Sequence, residues 1–302
     1  MSKYSKIAHR DKEVLIKQFG STYEYIPDSS KVLDVGCSSG YYGELLKKEK
    51  KCIVWGIDVN KNDLSEAKKK LDKVFLLNLE NGHWPEILTK ERFDVIFFGD
   101  VIEHLIDPKN ILKKFKKLLK PNGVMIISVP NIAHLSIRLE LLLGNFEYEK
   151  IGILDETHTK YFTLKSLKRL VNSLGCNIID IDYYSVYISK SIVDKWLKKA
   201  GLVADKKFYD KFVNQPSSIA YQYKLVIQPN DKISKKVIDL PVKPLNDKFE
   251  YDNIAKQKEE EIKEIKKYVK ALEGVVESLK NSTSWKLTKP LRSAKKIISR
   301  KK

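Results

Sequence analysis

No stretch of this sequence approaches the ~18 consecutive apolar residues that a membrane-crossing helix requires, and the opening MSKYSKIAHRDKEVL has no apolar signal-peptide core. Any membrane contact is therefore expected to be peripheral, on a cytoplasmic protein. Cysteine is almost as scarce: Cys37, Cys52 and Cys176 are odd in number, sit in apolar segments, and form no C-x-x-C. That excludes a disulfide framework, a thiolate zinc site and a dithiol redox motif, and predicts three reduced core residues. No metal ligand set is expected. The final 23 residues lack acids altogether.

What is present suits a folded chain with a polar appendage. The apolar fraction is 42%, the charged fraction 32%, and the formal net charge +18 over 302 residues. Nine Lys or Arg fall between Lys280 and Lys302, so half of the excess charge lies in that stretch. Such a segment attracts polyanions: an anionic membrane face, nucleic acid or an acidic partner.

From residue 31 to 130, short apolar runs alternate with helix-like patterns. The runs KVLDVG, CIVWGID, KVFLLN, FDVIFFGD and GVMIISVP are continuously apolar rather than alternating, which predicts parallel strands covered on both faces. Helices are expected over 9–20, after Tyr41, and over 62–71, 83–90, 107–119 and 164–174. The segment NIIDIDYYSV reads as a further strand, and SIAYQYKLVIQP as a closing strand suited to antiparallel pairing at a sheet edge. The result is an open α/β fold over 1–230, with insertions at 131–163 and 185–217.

The stretch VLDVGCSSGYYG, residues 32–43, poses the functional question. A dinucleotide loop needs G-x-G-x-x-G, and from Gly36 the next required positions hold Ser38 and Tyr41; a triphosphate loop needs G-x-x-x-x-G-K-[ST], and no such lysine follows. What remains is Asp34 closing a strand, glycines 36 and 40 in the turn, a helix starting at Tyr41, and Asp58 closing the next strand. Glycine lets a ligand approach the backbone, the helix start offers N–H donors to a carboxylate, and a strand-end carboxylate accepts from ribose hydroxyls. The ligand then needs a ribose and a carboxylate, and no phosphate.

With LNLEN (78–82), FDVIFFGDVIEHLIDP (93–108) and LLKPNGVMIISVPN (118–131) in the same order, this pattern resembles the class I S-adenosylmethionine-dependent methyltransferases over about residues 30–180. The resemblance implies a Rossmann-like, seven-stranded, mostly parallel sheet with an antiparallel edge strand, and S-adenosylmethionine as cofactor. It assigns to cofactor binding Asp34, Gly36, Cys37, Ser38, Gly40, Tyr41, Asp58, Val59, Asn78, Leu79, Glu80, Gly99 and Asp100. Two positions depart from the family pattern: Ser38 replaces a glycine and narrows the loop, and Asn78 stands where many relatives have Asp.

A sulfonium is already a good leaving group, so the protein must chiefly align the acceptor and, for an oxygen nucleophile, remove a proton. Asp100, Glu103 and His104 just past the fourth strand are candidates, with His158 in the insertion DETHTKYFT. The competing structural readings make His104 a brace for the helix beginning near Asp107, and His158 a tie to Tyr161 and Phe162.

Residues 231–253 read as a linker. Over 254–280, Ile262, Ile265, Val269, Leu272, Val276 and Leu279 recur at steps of three and four, a coiled-coil seam suited to self-association. The basic tail 281–302 places Trp285 ahead of Leu287, Leu291, Ala294 and Ile298, the pattern of a helix lying in a membrane interface. STSWKLTKPLR resembles a segment following coiled coils in bacterial enzymes of surface-polysaccharide assembly. Together these point to a methyltransferase acting on a sugar hydroxyl of a cell-surface glycan or lipid-linked intermediate, peripheral at the inner membrane face, with glycosyltransferase partners. RNA or small-molecule acceptors, and a non-catalytic adaptor of a glycan-synthesis complex, are the competing readings; nucleic acid ranks lower because the tail lacks interleaved aromatics other than Trp285.

Overall fold

A computed structural model describes residues 19–229. The helix expected over 9–20, the linker, the coiled coil and the basic tail lie wholly or mainly outside the described residues. A 3-10 turn, Gly20–Tyr25, leads into β1 (Lys31–Val35), α1 (Tyr41–Lys50), β2 (Ile53–Asp58), α2 (Lys61–Ala67) and β3 (Lys73–Leu76). Then come β4 (Phe93–Gly99), α3 (Pro108–Lys116), β5 (Leu119–Pro130), α4 (Leu135–Leu142), α5 (Leu164–Ser173), β6 (Cys176–Ser185), α6 (Lys190–Lys199) and β7 (Ala220–Pro229).

The helix starts are local and chemical. Asn60 Oδ1 accepts from the Asn62 and Asp63 N–H groups at 3.0 and 3.3 Å, and Asp107 Oδ1 from Asn110 N–H at 3.1 Å with Pro108 as the first helical residue. Thr163 and Ser166 form a reciprocal capping box at α5. The helix expected over 83–90 shrinks to a turn, Glu86–Thr89, because it begins only after Pro85.

The seven strands form one sheet in the order β3-β2-β1-β4-β5-β7-β6. Strands β1 to β5 are parallel; β1, β2, β4 and β5 bury apolar side chains on both faces, as their uninterrupted Val, Ile and Phe content requires, while β3 at the sheet edge is only partly buried. The antiparallel strand is β7, but it does not lie at the edge as expected: it inserts between β5 and β6, antiparallel to both, and β6 is the edge strand. Its run Tyr223, Leu225, Val226 and Ile227 is buried on both faces, and only an interior position buries it so. Strand β5 also begins earlier than GVMIISVP, at Leu119 opposite Phe93. The chain between bulges before Val124 meets Val95, with Asn122 at φ 65°. All three cysteines are buried and free.

Strand order reverses between β1, which leads back to β2, and β4, which leads on to β5. Ligands bind open α/β sheets outside the carboxyl ends of strands at such a switch point. Asp34, Asp58 and Asp100 all stand at that end.

Candidate active site

The loop after β1 is shaped by three left-handed residues, Gly36 (φ 76°), Ser38 (φ 47°) and Gly40 (φ 80°). A Cβ on Gly36 would come within 2.4 Å of Val101 Cγ2, so the loop after β1 and the loop after β4 touch and only glycine fits between them. Ser38 does not simply narrow the turn. Its N–H donates to Asp58 Oδ2 at 2.8 Å, while Asp58 Oδ1 accepts from Asn60 N–H at 2.8 Å. The strand-two carboxylate thus clamps both loops, with lone pairs remaining on each oxygen.

Asp34 is 3% exposed, and its Oδ2 has no hydrogen-bond partner. Burial, with the Asp58 charge second, pushes its carboxyl up from 3.8 to about 7. Val59, immediately after Asp58, is an apolar side chain 67% exposed beside that carboxylate. Ser39, which the sequence reading did not single out, buries a hydroxyl that also lacks a partner.

Other expected cofactor residues serve the scaffold with their side chains. Cys37 packs in the core, and a Cβ on Gly56 would meet its Sγ at 2.6 Å. Tyr41 opens α1 with its ring 4.0 Å from Lys70 Nζ. Asn78 is exposed, and its Oδ1 accepts from Glu80 N–H at 3.0 Å. Glu80 Oε1 in turn accepts from the Ile106 and Asp107 N–H groups at 2.7 and 3.2 Å, holding the start of α3. Leu79 is buried, and its carbonyl accepts from Trp84 Nε1 at 3.3 Å. Gly99 ends β4.

On the other side of Val101 the chain makes a 3-10 turn, Ile102–His104. Thr159 stitches the insertion to it: its N–H donates to the Glu103 carbonyl at 2.8 Å and its Oγ1 to the Leu105 carbonyl at 2.9 Å. This brings the rings of His104 and His158 to a 4.8 Å centroid separation, edge to face. Ligand atoms of Glu103, His104 and His158 all lie within 4.8 Å of one another, close enough to converge on one acceptor oxygen or one cation. His104 does not brace α3, whose cap is Asp107; its Nδ1 lies 3.1 Å from the Thr157 carbonyl.

His158 Nδ1 is 3.0 Å from the Ile153 carbonyl, which can only accept, so that nitrogen carries the hydrogen and Nε2 is left basic. Burial lowers the His158 pKa below its ordinary value and keeps the ring neutral. Glu103 is 1% exposed, both its carboxylate oxygens are without partners, and burial followed by the Asp100 charge raises its carboxyl well above the usual range. Asp100, at φ 55°, accepts through Oδ1 from Ser128 Oγ at 2.8 Å and Gln222 Nε2 at 2.5 Å. Ser128, Gln222, Asp155 and Thr157 complete the site, and no local sequence pattern marks them. Asp155 Oδ1 accepts from Thr157 Oγ1 at 2.7 Å.

Comparison with known proteins decides the family. A family model described as a methyltransferase domain matches residues 7–181, more than half of the chain. This chain belongs to that methyltransferase family. A ubiquinone biosynthesis O-methyltransferase of Bradyrhizobium diazoefficiens is 32% identical over 142 residues, 43% of this chain and 55% of the relative. Another from Rhodopseudomonas palustris is 28% identical over 169 residues, 55% of this chain and 64% of the relative. The chain thus matches only a little more than half the length of these curated relatives. A SAM-dependent methyltransferase structure from Archaeoglobus fulgidus superposes with a TM-score of 0.51 at 18% identity, covering 74% of this chain and 96% of that one, a likeness of fold.

The cofactor of this methyltransferase is S-adenosylmethionine, and the residues present fit it. The unpartnered Asp34 oxygen is a buried acceptor for an ammonium group, Asp58 keeps lone pairs for ribose hydroxyls, and exposed Val59 offers apolar surface beside them.

Proposed function

We propose that this chain is an O-methyltransferase that methylates a hydroxyl of a sugar in a lipid-linked or cell-surface glycan intermediate. The observation that carries O-methylation is the cluster of His158, His104 and Glu103 beside the loop that touches the glycine turn. When bound, S-adenosylmethionine supplies a methyl group on a sulfonium, which needs no further activation.

The protein's own tasks are to hold the acceptor in line and to take its proton. His158 Nε2 accepts that proton, and the Ile153 carbonyl holds the opposite nitrogen and fixes the tautomer. Asp100, fixed by Ser128 and Gln222, orients the wall between the two loops. The sugar acceptor is supported by the basic amphipathic stretch 281–302 and the STSWKLTKPLR segment, which also favour a peripheral membrane location. Among the described residues no helix is long and apolar enough to cross a membrane.

A hydroxyl of a ubiquinone precursor is the second reading, favoured by the curated relatives, which are ubiquinone biosynthesis O-methyltransferases. Incubating the protein and labelled cofactor in parallel with nucleotide sugars, lipid-linked glycans, phenolic quinone precursors and RNA separates these. Label on a sugar supports the proposal. Label confined to the phenol or to RNA overturns it.

A further inference from the structure

A cavity of ≈ 470 Å³ opens between α4, α5 and β7. Among the described residues its walls include Arg138, Lys165, Lys168 and Arg169, and no Asp or Glu. Lys165, Lys168, Arg169 and Asn172 follow the i, i+3, i+4, i+7 rhythm that places them on one stripe of α5, while Leu167 and Val171 face the core. Like charges at this spacing repel, and two of them sit in the first half of the helix, where the macrodipole also disfavours cations.

Tyr223 forms part of the lining. It is fully buried, and its hydroxyl has no hydrogen-bond partner. Burial pushes the hydroxyl up to about 12, so it stays protonated and is a donor. Arg138 lies over the Phe212 ring at 5.3 Å and spends Nη2 on Ser217, leaving further guanidinium donors. Arg138, Lys165, Arg169 and an orphan hydroxyl donor, with no acid among the described lining residues, make a built receptor for a compact anion of high charge.

We propose that this cavity binds a phosphate or diphosphate group. Thr163 on its rim is five residues from His158, so the two lie within roughly 18 Å even along extended chain. Assigning the anion to the acceptor, as a sugar carried on a diphosphate, rests on the methyl-transfer reading above. The binding site itself does not.

The test is calorimetric titration of the full chain with inorganic pyrophosphate, run with the wild type, Lys165→Gln/Arg169→Gln and Tyr223→Phe, and repeated with S-adenosylmethionine. Both basic residues are exposed, so the double variant keeps the fold. Pyrophosphate affinity is expected to fall about tenfold or more in the double variant and about 2- to 10-fold in Tyr223→Phe. Cofactor affinity should stay unchanged in both. Pyrophosphate binding equal in all three proteins would place the anion on residues 281–302 and overturn the proposal. Absence of pyrophosphate heat with normal cofactor binding would overturn it while leaving the methyltransferase reading intact. A parallel arm with phosphatidylglycerol vesicles identifies the source: loss of vesicle binding in the double variant assigns the phosphate to a lipid headgroup, and unchanged vesicle binding assigns it to a soluble or acceptor-borne phosphate.

Discussion

Replacing Asp34 by Asn should make the cofactor-free protein more stable at neutral pH and weaken its function. The carboxyl is buried, one oxygen has no partner, and its pKa rises from 3.8 to about 7. For a group whose folded pKa is raised, the folded state holds the proton longer than the unfolded chain. Its stability contribution is therefore complete below pH 3.8 and lost as pH climbs to about 7. Three pH units at 1.36 kcal/mol each give roughly 4 kcal/mol. His134 acts in the opposite sense: it is fully buried, its Nε2 lies 3.0 Å from the Val186 carbonyl, and burial lowers its pKa to about 4. Its contribution is present above 6.5 and lost as pH falls toward 4, roughly 3 kcal/mol. Asp34 and His134 act in opposite senses in the wild type and the buried Glu103 carboxyl adds to the former, so the raw pH profile mixes several groups and the difference profile is the measurement. Urea unfolding of both proteins at half-unit steps from pH 4 to 8 should show Asp34→Asn gaining about 4 kcal/mol relative to wild type as pH rises, with near parity at pH 4. Saturating cofactor should shrink that advantage, because an ammonium partner satisfies the carboxylate and not the amide. A difference profile that is flat, or that favours the wild type at pH 8 without cofactor, refutes the reasoning.

Three further outcomes are expected. Gly36→Ala should lower stability by about 2–4 kcal/mol, combining a left-handed φ of 76° with a Cβ 2.4 Å from Val101 Cγ2; adding Val101→Ala should return the steric share only, and strict additivity in that double-mutant cycle would disprove the contact. Asp58→Ala removes the acceptor of the Ser38 and Asn60 N–H groups, and calorimetry should record at least a tenfold weaker affinity for S-adenosylmethionine. His158→Ala should lower kcat by about 100-fold or more while leaving cofactor affinity within twofold, since the ring belongs to the cluster with His104 and Glu103 and makes no contact with the Asp34 or Asp58 carboxylates; a loss confined to cofactor binding would remove it as the base.

Much of the parallel half was legible because its determinants are local. Strands β1, β2 and β4 are short apolar runs that end in an acid or glycine, and several helix starts carry a capping side chain, as at Asn60, Asp107 and Thr163. Gly36 and Gly40 could be read as turn formers since few other residues tolerate positive φ. The place of β7 was not legible: its period-two portion suggested an edge, and only pairing with β5 on one side and β6 on the other buries Tyr223 and Val226. Asp100 and Gln222 are 122 residues apart, and no local pattern joins them.

By itself the amino-acid sequence determined the order of the strands, the glycine turn and the carboxylates at the ends of the first two strands, since backbone preference and apolar periodicity act over a few residues. The tertiary structure decided which side chains are stranded without partners and which distant groups meet. The buried Glu103 carboxyl, the His104 and His158 pair and the basic cavity around Tyr223 exist only because long-range strand pairing and the Thr159 stitch bring their segments together.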